Sequence, residues 1–341
     1  MKSFFSLLLF FALWFNLSYA QTVFPNTWND RQNQPSNSSY HYLEFWNNPA
    51  YAGNTEEYNL TVFNRTSNFR GIGNKQPQTI ALTWDFPWYA LQSGFGLRAY
   101  YQKYERQYES SVFGFGLGHN FKFEVGEQFN ASAGYSVMMT GQDHFVSDAR
   151  YPAFNVGNVK PLTSAQIKNE PFAKLEYGVG FSLYSDKLRI GAAYDHINEQ
   201  SFFYYTATKE IEVKIYQKLF FDVAYEFDLS SNMTLTPMAS ITNIRESFNI
   251  DGGFKARYNE FAFLGALFQH SGRERISIGN FNNQSLSILA GVTLFDNYDI
   301  SLAYDVPLKT SYMPFEDLNE ADIEIVLGWR IAKPNPNSLE D

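Results

Sequence analysis

Alternation is the feature that most constrains this chain. From Glu210 to Leu229 it reads EIEVKIYQKLFFDVAYEFDL. Ile211, Val213, Ile215, Gln217, Leu219, Phe221, Val223, Tyr225 and Phe227 fall on one side of an extended backbone. Glu212, Lys214, Tyr216, Lys218, Phe220, Asp222, Ala224 and Glu226 fall on the other. SLSILAGVTL, YDISLAYDV and DIEIVLGWRI, which run from Ser285, Tyr298 and Asp322, repeat the pattern. The apolar sides of these four segments carry no charge, although 18% of the chain is charged. A soluble sandwich also alternates, but it exposes its polar side and packs the apolar one. Lipid enforces a cleaner face, because a Lys or Arg at mid-bilayer costs roughly 2–4 kcal/mol on a barrel's outer wall while the lumen tolerates polar groups.

Beyond residue 20 no stretch approaches the ~18 apolar residues of a membrane helix. A chain that crosses a bilayer without such helices does so as a closed barrel, where every backbone group is paired. Composition agrees. Aromatics make up 18%, with 33 Phe and 23 Tyr, yet mean hydropathy is −0.32, far too polar for a helical membrane protein. The formal net charge of −9 argues against nucleic acid, whose phosphates call for basic patches. Without cysteine there is no disulfide framework, lipid-attachment Cys or Cys-based metal site.

The spacing predicts an all-β fold: a transmembrane antiparallel barrel of about fourteen strands, at 56–66, 77–86, 94–103, 109–121, 128–139, 172–184, 187–196, 210–227, 231–242, 245–257, 259–269, 284–294, 298–307 and 322–331. Every second connection is short, and the longer ones include 140–171, 197–209, 270–283 and 308–321. Outer-membrane barrels have short periplasmic turns, long outer loops and an even strand count, so both termini are expected in the periplasm. Residues 1–20, with Lys2, an apolar run and Ser18-Tyr19-Ala20, read as a signal peptide. Residues 21–55 form a periplasmic lead-in and partial plug, 56–331 the barrel, and 332–341 a periplasmic tail. Trp84, Phe86, Tyr225, Phe227 and Trp329 fall near strand ends, where an interfacial girdle belongs. Gly114, Gly116 and Gly118 alternate with Phe113, Phe115 and Leu117, as on a wall approached closely by another group or on a strongly curved strand.

Chemistry is sparse. His41, His119, His144, His196 and His270 show no zinc-ligand spacing. Asp195-His196 and His270-Ser271 read as polar rim pairs, with no base, orienter and oxyanion donor specified together. Glu316, Asp317, Glu320 and Asp322 could ligate Ca²⁺ in an outer loop, but the glycine and spacing of a calcium loop are missing. No cofactor is indicated. Lys174, Glu176, Arg189, Asp195, Lys214, Lys218, Asp222, Glu226, Asp305, Glu324 and Arg330 point inward with mixed sign, as in a cross-linked lumen. Tyr151, Phe154, Phe203, Tyr204, Tyr312 and Phe315 sit on outer connections; exposed aromatics there point to a protein partner or a lid.

Asn47 to Gly53 reads NNPAYAG. Asn48, Pro49, Ala50, Ala52 and Gly53 resemble the Asn-Pro-Ala-x-Ala-Gly signature of the PorP/SprF family, outer-membrane proteins of the type IX secretion system. Arg65, FRGIG from Phe69, PQT from Pro77, DFP from Asp85, YDVP from Tyr304 and IEIVLGW from Ile323 are similar to later family features. Asn68-Phe69 stands where the family commonly has Gln-Trp. The resemblance implies a non-enzymatic outer-membrane barrel. Its partners would be periplasmic secretion components or the C-terminal domain of a large secreted adhesin, exported or held at the surface, in some cases for gliding. The turn would sit at the periplasmic mouth, with Tyr51 against the lower rim. Long-chain fatty-acid transporters also carry an Asn-Pro-Ala element in an N-terminal hatch, so that alternative stands, although it needs an apolar lumen pocket.

Overall fold

The computed structural model describes residues 44–55, 57–68, 78–104, 109–145, 172–205, 210–244, 247–259, 261–273, 281–309 and 321–331. In chain order the strands are β1 (Tyr58–Asn68), β2 (Gln78–Trp88), β3 (Ser93–Tyr104), β4 (Glu109–Val125), β5 (Phe129–Phe145), β6 (Phe172–Tyr184) and β7 (Leu188–Asp195). There follow β8 (Gln200–Tyr205), β9 (Glu210–Ile215), β10 (Lys218–Tyr225), β11 (Phe227–Ser230), β12 (Met233–Ile244) and β13 (Ser247–Tyr258). The last four are β14 (Ala262–Arg273), β15 (Phe281–Leu294), β16 (Tyr298–Lys309) and β17 (Ala321–Ile331).

Neighbours pair antiparallel all the way round. β1 pairs with β17 from Tyr58↔Ile331 to Asn68↔Ala321, and β10 pairs with β12, so the ring has no free edge. β10 and β11 count as one stave, and the barrel has fourteen. Their pairing to β12 is interrupted beside Pro237, which lacks an N–H; on the other side Glu226 N donates to Lys187 O at 2.8 Å.

The alternation sorts as lipid requires. Val223, Tyr225, Ile288, Ile300, Leu302, Ile323, Ile325 and Leu327 are exposed on the outer surface, while Lys218, Asp222, Ser287, Ser301, Asp305 and Glu324 are buried inside. Towards the short-turn end, Tyr58, Phe86, Phe95 and Trp88 stack in series with ring centroids 5.0–6.0 Å apart. His119 joins that aromatic band, 4.3 Å from the Phe95 ring.

Two departures from the expected strands have local causes. β4 and β5 pair as far as Val125↔Phe129, so their turn is shorter than the connection 122–127 left between the expected strands. The expected strand 210–227 breaks at Tyr216-Gln217, and β8 lies inside the expected loop 197–209, paired with β9 as a separate two-stranded sheet. The cause is the corner after β7. His196 takes a left-handed φ of 57°, and Asn198 binds the β6 backbone by accepting from Tyr177 N (3.2 Å) and donating to Leu175 O (2.8 Å). A side chain thereby replaces strand pairing to β6, and β8 and β9 pair with each other as a separate sheet.

Candidate functional site

Residues 44–54 lie inside the barrel. A helical turn, α1 (Glu44–Asn47), leads through Asn48 into a 3₁₀ turn, Pro49–Tyr51. Each signature residue has a physical task. Asn48, fully buried, is the cap: its Oδ1 accepts from Ala50 N at 2.9 Å and its Nδ2 donates to Phe181 O on β6 at 3.1 Å. Pro49 starts the turn with φ already set and no N–H to satisfy. The Ala50 carbonyl receives Asn120 Nδ2 at 2.7 Å and Ser132 Oγ at 2.6 Å. Gly53 has φ +57°, its N–H donates to Asp85 at 3.0 Å, and its carbonyl accepts from Lys122.

The wall is shaped to receive this segment. A Cβ added at Gly94, Gly96, Gly118, Gly134, Gly180 or Gly191 would come within 2.0–2.6 Å of Ala52, Phe45, Phe45, the Pro49–Ala50 backbone, Asn48 or Tyr51 respectively. Five neighbouring strands, β3 to β7, thus lower their side chains to bare backbone along one strip. Arg98 donates to Trp46 O at 2.9 Å, and Lys218 donates to Asn47 Oδ1 at 3.1 Å. Trp46 meets Tyr100 edge-on at 5.4 Å and packs with Phe63, Ala81 and Val326.

The structure seats the turn deeper than the mouth. Tyr51 is buried in the lumen rather than on the rim: its hydroxyl donates to Asp222 at 3.0 Å and its ring lies under Arg189, 5.5 Å away. Arg189 also pairs with Glu44 and, at 3.3 Å, with Asp222. Wall strands close in a ring, so a hydrogen-bonding segment arriving from one end finds its partners on inward faces.

Other predicted residues are placed as follows. Glu176 bonds His196 Nδ1 at 2.6 Å, while Asp195 pairs with Arg98 at 3.6 Å; adjacent Asp195 and His196 therefore serve different partners. Asp322 is on the inner wall of β17, not in a calcium loop. Register sets Arg65 opposite Glu324, and Arg65 pairs with Asp322 and, at 3.3 Å, with Glu324. Glu316, Asp317, Glu320, Tyr151, Phe154, Tyr312 and Phe315 lie outside the described residues; Phe203 and Tyr204 lie on β8. Among the described residues no three acidic or histidine side chains converge as a metal site. Sequence reasoning missed Asn120, Ser132, Arg98 and Asp85. Gly118-x-Asn120 and Ser132-x-Gly134, small and polar at inward parity, are the signal that could have found the first two.

The family model for type IX secretion system membrane protein PorP/SprF matches residues 29–316. No curated protein matches the sequence. Among solved structures the chain is similar to the CymD monoaromatic hydrocarbon channel, with a TM-score of 0.54, 11% identity, and 90% of this chain and 97% of that one covered. It is also similar to a Pseudomonas aeruginosa FadL homologue, with a TM-score of 0.52, 12% identity, and 84% and 93% covered. At such identities the likeness is one of fold.

Proposed function

Because the chain belongs to the PorP/SprF family of type IX secretion system membrane proteins, we propose that it is the barrel that binds a large secreted adhesin and helps export or retain it, together with periplasmic secretion components. It is an outer-membrane, multi-pass barrel of a secretion family rather than of an enzyme family. The observation that carries the proposal is the plug seated in the lumen. An open porin would leave its interior to solute, whereas here a glycine-lined wall holds the chain's own residues 44–54. A barrel occupied this way acts through its rims. In this reading residues 44–54 are a fixed plug, the short turns and both termini are periplasmic, and Tyr151, Phe154, Phe203, Tyr204, Tyr312 and Phe315 belong to the partner-binding outer connections.

A hydrocarbon or fatty-acid channel would need an apolar pocket. The cavity beside the plug is lined instead by Glu44, Lys187, Arg189, Glu226 and Lys255 among others, which disfavours apolar cargo. Affinity purification of the tagged protein from its native outer membrane tests the proposal. A large secreted protein or a periplasmic component of the system should accompany it in stoichiometric amount. Recovery of the barrel alone, after gentle cross-linking, would count against it.

A further inference from the structure

The inner segment occupies only part of the lumen. It is held by β1 to β7, β10 and β17, and the far half, from β10 round to β16, is closed by something else. There Phe220, Met238, Phe263, Leu267 and Leu289 form a buried apolar cluster with small neighbours. This cluster is a layer rather than a continuous core. Nearer the long-connection end, the same strands and β17 carry Asp251, Asp305, Asp322 and Glu324, with Arg65 among them. Nearer the short turns they carry Lys255, Arg257, Asp299 and Arg330.

Two further details set the layer apart. A cavity of about 180 Å³ lies directly against it, lined by Met238 and Ala224 of the layer and by Glu44, Arg189 and Lys255 among others. Lys255 Nζ stands 5.8 Å from the Phe263 ring, and that ring occupies the space a side chain at Gly291 would need. Charged wall, apolar constriction and charged wall in succession is how a pore closes by dewetting: water and ions enter both vestibules but find no partner in the constriction.

We propose that the β10–β16 half of the lumen is a gated path for water and small ions, closed by the Phe220–Met238–Phe263–Leu267–Leu289 layer. It does not depend on the secretion assignment, since it uses only the lumen wall. Purified full-length protein in planar lipid bilayers tests it. Wild type should show no steady conductance. Leu267→Ser, and the near-isosteric Met238→Gln should Leu267→Ser fail to fold, should show steady openings at least tenfold above background. Val326→Thr, a same-shape polar change on the plugged side, should stay silent. Folding is checked by the heat-dependent gel mobility of an intact barrel. Folded Leu267→Ser or Met238→Gln protein that remains silent overturns the gate, as does a wild type that conducts equally or a Val326→Thr variant that opens to the same extent.

Discussion

At the scale of single residues, the fit between the inner segment and its wall is decided by atoms that are missing. Gly134 faces the Pro49–Ala50 backbone, and a Cβ there would lie 2.6 Å from three backbone atoms that have no rotamer to yield. Gly252, by contrast, has nothing within 4 Å of its would-be Cβ. Gly134→Ala is therefore expected to destabilise the barrel by about 1–3 kcal/mol through overpacking, whereas Gly252→Ala should stay within about 0.5 kcal/mol. Urea unfolding in detergent, followed through tryptophan emission, measures both. Equal effects would mean that the segment is not seated as tightly as its hydrogen bonds imply. Pro49 and Gly53 were legible beforehand as turn residues, because a fixed φ and left-handed backbone have strong residue preferences, whereas Asn48 stood out only through the family signature. Asn120, Ser132 and Asp85 were not legible, since nothing local distinguishes a polar lumen residue that holds a buried carbonyl or amide from one that faces water.

At the scale of the strand, period two carried the prediction because lipid makes only one face strict. Ile323, Ile325, Leu327 and Trp329 face outward while Glu324 and Val326, one residue away, are buried; a shift of one residue would exchange them. Ile325 lies mid-strand, in register with Asn64 and Leu302. Ile325→Lys should cost about 2–4 kcal/mol, and Ile331→Lys at the strand end about 0–1 kcal/mol, measured by unfolding in phospholipid vesicles. Equal costs at the two depths would remove the membrane from the account of the alternation. Where strand reading failed, at 197–217, the cause was a side chain: Asn198 takes over ladder bonds of β6, and alternation carries no trace of such a substitution. The split at Glu226 is of the opposite kind. Pro237 is visible in the sequence, but its consequence appears only once β10 and β12 are known to be neighbours.

For the molecule as a whole, orientation is the property from which the partner surfaces follow. Tyr58 and Ile331, the first and last residues of the ring, pair with each other at the end where the short turns lie. The cavity that contains Glu44 is bordered by the turn residues Ser185, Asp186 and Lys187, so the inner segment enters from that same end. An exported barrel keeps its short turns in the periplasm, so Glu44 is expected at the periplasmic end. The absence of native cysteine makes the arrangement directly measurable. Ser231→Cys, in the exposed turn after β11, should resist a membrane-impermeant maleimide on intact cells and react once the outer membrane is permeabilised. Glu199→Cys, exposed at the corner after β7 at the opposite end, should react both on intact cells and after permeabilisation. The reverse pattern would turn the barrel over, move the mouth of residues 44–54 to the cell surface, and make the outer aromatics periplasmic. The secretion role would then have to be rebuilt around a plug whose mouth opens outward, with the contacts of residues 44–54 unchanged.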